Sequence, residues 1–204
     1  MSFETEVAYN EDMLKILDYS RDNFIPTMLN SSSRFLYNLV SSKKPNNVLE
    51  IGTAVGYSTL VMLKAGAKKV TTIELDEQRF KISKKNFNKF NVSSKVTSVN
   101  NNALNALEVL KQNNEKFDFV FVDGPKSQYL KQFLIIDDLI DANGIIVFDD
   151  ALYMYSTVKE GFVEHKHRAM INKLREFVKF IQQDNNYDVK FINIDEGMIV
   201  ATKK

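Results

Sequence analysis

Short apolar runs alternate with amphipathic segments along most of this chain. Residues 47–51 (NVLEI), 69–74 (KVTTIE), 95–99, 117–122 (FDFVFV) and 144–148 (GIIVF) read as buried strands. Between them lie patterns with helical spacing. Residues 77–90, for example, place Phe80, Ile82, Phe87 and Phe90 as apolar points. Helices are also predicted over 57–64, 103–112 and a long 164–183. Two more precede the first strand, at 11–20 and 31–42, with Pro26 between them and Ser31 to Ser33 offering capping hydroxyls. Two final strands, 187–192 and 197–201, have only residues 193–196 between them, which predicts an antiparallel hairpin. Strand-helix alternation of this kind builds a doubly wound, mostly parallel α/β sheet. The expectation is one Rossmann-like domain over residues 1–204 with seven strands, residues 1–44 forming a helical lid, interface or substrate segment.

The 204 residues hold no cysteine, which removes disulfides, thiolate zinc sites and a cysteine nucleophile. With 44% hydrophobic and 26% charged residues the balance is that of a soluble globular domain able to bury a core unaided. A net charge of +1 gives no global attraction for nucleic acid, so basic patches must be judged locally. No run approaches the roughly 20 apolar residues of a membrane span, and residues 1–10 do not read as a signal peptide. The expected location is cytoplasmic, away from membranes.

Ligands of doubly wound sheets sit beyond the carboxyl ends of the strands. The first such end reads Glu50-Ile51-Gly52-Thr53-Ala54-Val55-Gly56-Tyr57-Ser58. Gly52 and Gly56 allow a sharp bend and close approach of backbone to ligand. Their spacing is not that of the dinucleotide fingerprint, and Glu50 beside the turn suits a cation better than a pyrophosphate. S-adenosylmethionine, with a sulfonium and an ammonium, matches that chemistry. Glu74 ends the second strand, where a carboxylate can accept ribose hydroxyls, and Asn102-Ala103 follow the third, where an amide can meet adenine. Taken singly, each could be an ordinary turn or strand end.

Asp123 ends the fourth strand and Asp149-Asp150 the fifth. Three converging carboxylates are an all-oxygen set of the kind Mg²⁺ or Mn²⁺ prefers. Lys126, three residues past Asp123, is placed to act as a general base on a hydroxyl. A helix cap and a solvated lysine are the plainer readings of the same residues.

Together, VLEIGTAVGYST, TTIELD, FVFVDGPKSQY and IIVFDDALY resemble the metal-dependent O-methyltransferases of the catechol and caffeoyl-CoA type, over about residues 26–201. The resemblance implies that S-adenosylmethionine meets Glu50, Gly52, Gly56, Tyr57, Ser58, Glu74, Asn102, Ala103 and Asp123. It implies Asp123, Asp149 and Asp150 as ligands of Mg²⁺ or Mn²⁺, and Lys126 with Asp123 as the catalytic pair. Within that group the chain is most similar to a bacterial branch that methylates 5-hydroxyuridine at the tRNA wobble position. Its likeness lies in EIGTAVGYS, DGPKSQY, Ile25 to Met28, His165 to Arg168, Leu174 to Phe177 and Asp195 to Met198. The implied partner is a tRNA anticodon stem-loop, and a homodimer is expected because such enzymes often pair. Two departures stand out. The third metal position, commonly Asn, is Asp150, and the usual Gly-Asp before Ala103 is Asn101-Asn102.

Residues 159–179 hold six Lys or Arg against three Glu, with both histidines. Arg168 and Arg175 are candidate phosphate contacts, with His167 and the more distant Arg34. Tyr153 is a candidate base-stacking ring. A solvated helix face accounts equally well for the charges. The competing functions are methylation of a small phenol, nicotinamide-dependent redox chemistry (disfavoured by the missing G-x-G-x-x-G) and a non-catalytic RNA-binding module.

Overall fold

The computed structural model describes residues 11–152 and 167–204. In chain order its elements are α1 (Glu11–Asp22), α2 (Asn30–Lys43), β1 (Asn47–Ile51), α3 (Tyr57–Lys64), β2 (Lys69–Glu74), α4 (Glu77–Lys89), β3 (Val96–Asn100) and α5 (Ala103–Gln112). There follow β4 (Phe117–Val122), α6 (Tyr129–Leu139), β5 (Ile140–Phe148), α7 (Arg168–Gln183), β6 (Tyr187–Ile192) and β7 (Met198–Lys203). The strand order is β3-β2-β1-β4-β5-β7-β6 in a seven-stranded mixed sheet, the doubly wound architecture expected. The chain divides into two compact units, Met1–Ala103 and Leu104–Lys204.

In the first unit β1 pairs with β2 and β2 with β3, all parallel. Four of the five β1 residues are buried, as a strand covered on both faces requires. Helix α3 is buried from Tyr57 to Met62, which explains why it is apolar nearly all round. Met13 and Ile16 of α1 join Val55, Tyr57, Leu60, Val61 and Phe87 in one core cluster.

In the second unit β4 and β5 are parallel, while β7 runs antiparallel to both β5 and β6, so the predicted terminal hairpin is present. Its core is aromatic. Phe148 lies 4.6 Å from Phe177 and 5.3 Å from Tyr129, ring centre to ring centre. Helix α7 buries Ile171, Leu174, Phe177, Val178 and Ile181 on one face.

Three local expectations change. Strand β5 starts at Ile140 rather than 144, because Ile140 pairs with Phe117 and a register shift before Phe119 absorbs the exposed residues that follow. Ser31 to Ser33 do not cap α2. Its N-cap is Leu29 without a side-chain bond, and Ser32 and Ser33 are buried inside the helix. Strand β7 begins at Met198 and continues to Lys203, where pairing with Tyr187 still holds it. The expected helix start at 164 lies outside the described residues.

Candidate active site

The first unit carries the glycine turn. Gly52 N and Thr53 N both donate to Ile73 O, and Gly56 N donates to Thr53 O at 2.7 Å, closing the loop. Gly52 (φ 97°), Ala54 (φ 46°) and Gly56 (φ 87°) are all left-handed. Alanine rarely adopts that conformation, and the strain is held at the turn itself. One return is visible: Ala54 N is aimed at Glu74 Oε2, 2.7 Å away. Asp76 N donates to Glu74 Oε1 at 2.8 Å. Two backbone donors fix the carboxylate, leaving further lone pairs as acceptors. Asn101 N and Asn100 Nδ2 both donate to Glu74 O, which ties the segment leading to Asn102 and Ala103 to the end of β2. These residues fit a nucleoside: a fixed acceptor beside a bent backbone, with an amide nearby.

Glu50 is held from within the protein. It is fully buried, and its carboxylate accepts from the hydroxyls of Ser58, Thr59 and Thr72. The sheet register sets this up, since Glu50 lies directly opposite Thr72. Thr53 then pairs with Thr72. A buried carboxylate needs such donors, and here the protein supplies them. Glu50 therefore anchors the turn to α3 and β2. Tyr57 is likewise a core residue whose phenol meets Ser33 Oγ at 3.4 Å, burial raising its pKa. Gly56 packs against Phe87. The supporting Thr53, Thr59 and Thr72 escaped the sequence reading; the pairing of KVTTIE with NVLEI was the signal that could have found them.

The second unit carries the acidic residues and the lysine. Val122 and Phe148 are opposite one another as the last residues of β4 and β5, so Asp123 and Asp149 follow at the same level. Asp149 N donates to Val122 O at 2.9 Å, and Tyr129, wholly buried, donates its hydroxyl to Asp149 O at 2.6 Å. Asp150 (φ 50°) turns the chain, its N bonded to Asp149 Oδ1 at 2.9 Å. Its own carboxylate forms an ion pair with Lys126, Nζ to Oδ2 2.7 Å. Burial, opposed by Lys126 and reinforced by Asp150, pushes Asp123 up to about 6. Burial and the neighbouring Asp123 and Asp150 push Asp149 up to about 8.

A further carboxylate belongs here. Ala151 N and Leu152 N donate to the carbonyls of Gly197 and Glu196, clipping the loop after β5 to the hairpin turn. Glu196 Oε2 is buried without a hydrogen-bond partner among the described residues. Burial, then Asp150 and Asp195, raise its pKa, while Lys126 lowers it. The sequence displayed Glu196 in its late motif but assigned it no role, because only the antiparallel hairpin brings residue 196 to the end of β5.

Among the described residues no three His, Asp or Glu side chains are grouped so as to hold a metal ion. Asp150 is engaged by Lys126, and one Asp149 oxygen by the Asp150 amide.

Of the remaining candidates, Arg168 and Arg175 are exposed on α7 and with Ile171 and Asn172 line a cavity of about 210 Å³. His167 immediately precedes that helix, and Arg34 is exposed on α2. Tyr153 and His165 lie outside the described residues. No helix among the described residues is long and apolar enough to cross a membrane.

Residues 4–204 match the model of a protein family described as O-methyltransferase. A caffeoyl-CoA O-methyltransferase of Populus kitakamiensis is 28% identical over 176 residues, covering 83% of this chain and 75% of its own. The O-methyltransferase of Bacillus cereus, solved in complex with SAH, superposes with a TM-score of 0.86 at 21% identity, covering 99% of this chain and 96% of that one. TomG of Streptomyces achromogenes, an O-methyltransferase solved with SAM, gives 0.83 at 21% identity, with 97% and 91% covered.

Proposed function

We propose, since this chain belongs to the O-methyltransferase family, that it uses S-adenosylmethionine to methylate the 5-hydroxyl of wobble 5-hydroxyuridine in tRNA, giving 5-methoxyuridine. When bound, S-adenosylmethionine supplies an electrophilic methyl carbon on a sulfonium leaving group. Glu74, fixed by two backbone amides, accepts the ribose hydroxyls. The strained turn at Gly52, Ala54 and Gly56 lets backbone meet the amino-acid end, and Glu50 holds that turn in shape from within. Lys126 meets the acceptor hydroxyl and manages its proton, with Asp123 and Asp150 orienting the lysine. Positioning a nucleophile in line with a leaving group supplies much of the rate in such displacements. Asp123, Asp149 and Asp150 have the donor chemistry for the Mg²⁺ or Mn²⁺ that the resemblance implies, but the arrangement described above does not present them as a set.

The observation that carries an RNA acceptor is α7. Arg168, Asn172 and Arg175 follow one another at helical spacing along an exposed cavity, the disposition that meets successive phosphates. A small phenolic acceptor is the second reading, favoured by the named activity of the Populus relative. The test offers the enzyme both acceptors: tRNA from a strain lacking 5-methoxyuridine, read by nucleoside mass spectrometry, and a catechol. RNA as substrate predicts new 5-methoxyuridine that falls at least about tenfold in R168E/R175E while any catechol turnover is unchanged. Catechol methylation with no modified nucleoside would overturn the tRNA reading and leave the small-phenol one.

A further inference from the structure

The acidic loops of the second unit bring four carboxylates, Asp123, Asp149, Asp150 and Glu196, within electrostatic reach of one ammonium. Lys126 contacts Asp150 directly at 2.7 Å and acts electrostatically on the other three. Residue 150 sits at φ 50°, a conformation that Asn and Asp both tolerate, so an acid there is no backbone requirement. What the acid adds is a charge, and that charge is used: only a carboxylate forms an ion pair with Lys126. The pair is about two-thirds shielded from water or better on both sides, 24% exposed at Lys126 and 37% at Asp150, so solvent weakens it less than a surface pair. A dication brought to Asp150 would meet the ammonium at contact distance.

We propose that Lys126 occupies the cation position of this acidic cluster, so that the ammonium and a divalent metal ion exclude one another at Asp150. This rests on reading the cluster as the acceptor end of the active site, and it explains why the described residues do not form a metal-holding group. With the lysine in place the protein itself supplies the counter-charge to Asp150. Metal entry then requires the Lys126–Asp150 pair to open.

Titration of Mn²⁺ into the full-length protein, followed by calorimetry and by the paramagnetic resonance signal of free Mn²⁺, tests this without acceptor or methyl donor. Lys126→Met removes the charge and keeps most of the stem, and Lys126→Gln keeps a polar end. Both should bind Mn²⁺ more tightly than the wild type, on the order of tenfold or more, for loss of one repelling unit charge at close range. Cooperative urea unfolding confirms that each variant is folded, and a variant that fails this check is set aside for the other. Mn²⁺ affinity in folded variants within about threefold of the wild type, or weaker, would overturn the proposal, whether the wild type binds strongly or not at all. That failure leaves the methyltransferase reading intact, which is judged by product formation instead.

Discussion

Glu50→Gln separates a structural anchor from a ligand. Glu50 is wholly buried, and its carboxylate is met by three hydroxyl donors, from Ser58, Thr59 and Thr72. Hydrogen bonds to a charged group contribute about 1.5–3 kcal/mol each. The amide retains an acceptor on one side but turns an NH₂ toward at least one hydroxyl on the other. Some of that is recovered by rotating a hydroxyl, so the expected loss is about 2–4 kcal/mol, a large share of the ~5–15 kcal/mol of a typical domain. With a urea slope of ~2 kcal/mol/M the unfolding midpoint falls by roughly 1–2 M. Thr72→Val, which removes one donor and keeps the shape, should lose about 1–2 kcal/mol. Because both substitutions act on the same turn, both should weaken S-adenosylmethionine binding, measured by calorimetry, in proportion to their effect on stability. An E50Q protein within ~0.5 kcal/mol of the wild type would refute the anchor. So would E50Q losing the cofactor while T72V binds it normally, since Glu50 would then be contacting the ligand itself.

Two further perturbations follow from the geometry. Gly56→Ala places a Cβ 2.5 Å from Phe87 Cε1 at φ 87°, and should cost about 2–4 kcal/mol from combined overpacking and backbone strain, read by urea unfolding; Phe87→Leu in the same chain should recover part of the loss. Asp149 and Asp123 have folded pKa values raised from 3.8 to about 8 and about 6. Their protonated forms favour folding, so that contribution is complete below pH ~4 and is lost as pH rises through 6 and then 8. Stability of the metal-free protein should decline from pH 5 to 9, and Asp149→Asn should flatten the upper part of that decline; an unchanged pH profile in D149N would count against the raised Asp149.

The fold was legible where burial was two-sided. NVLEI, KVTTIE and FDFVFV are strands at the predicted residues, because central parallel strands must be apolar on both faces and their ends are marked by the turn residues that follow. β5 was shortened in the reading because Asp141, Ala142 and Asn143 look like a loop; only the Ile140–Phe117 pairing makes them part of a strand. The serines in the first turn of α2 misled for a related reason: hydroxyls suggest a cap, but tertiary packing of α2 buries Ser32 and Ser33 and the helix begins one residue earlier than read. At the site, residue types at strand ends were readable, since connectivity alone puts Glu74, Asp123 and Asp149 there. What each carboxylate faces was not. The Thr72 opposite Glu50, the Lys126 on Asp150 and the Glu196 under the loop come from register and hairpin geometry, which a linear pattern does not encode.

The most direct measurement is single-turnover methyl transfer from S-(methyl-¹³C)adenosylmethionine to tRNA carrying 5-hydroxyuridine, with the product nucleoside identified by mass spectrometry. The wild type and Lys126→Met are compared at equal cofactor occupancy. The account predicts label on the 5-oxygen of the wobble uridine and a rate at least ~100-fold lower in K126M, the usual scale for losing a group that handles the reacting proton. Label on a ring nitrogen or a ribose oxygen, or a K126M rate within about threefold of the wild type, would contradict it.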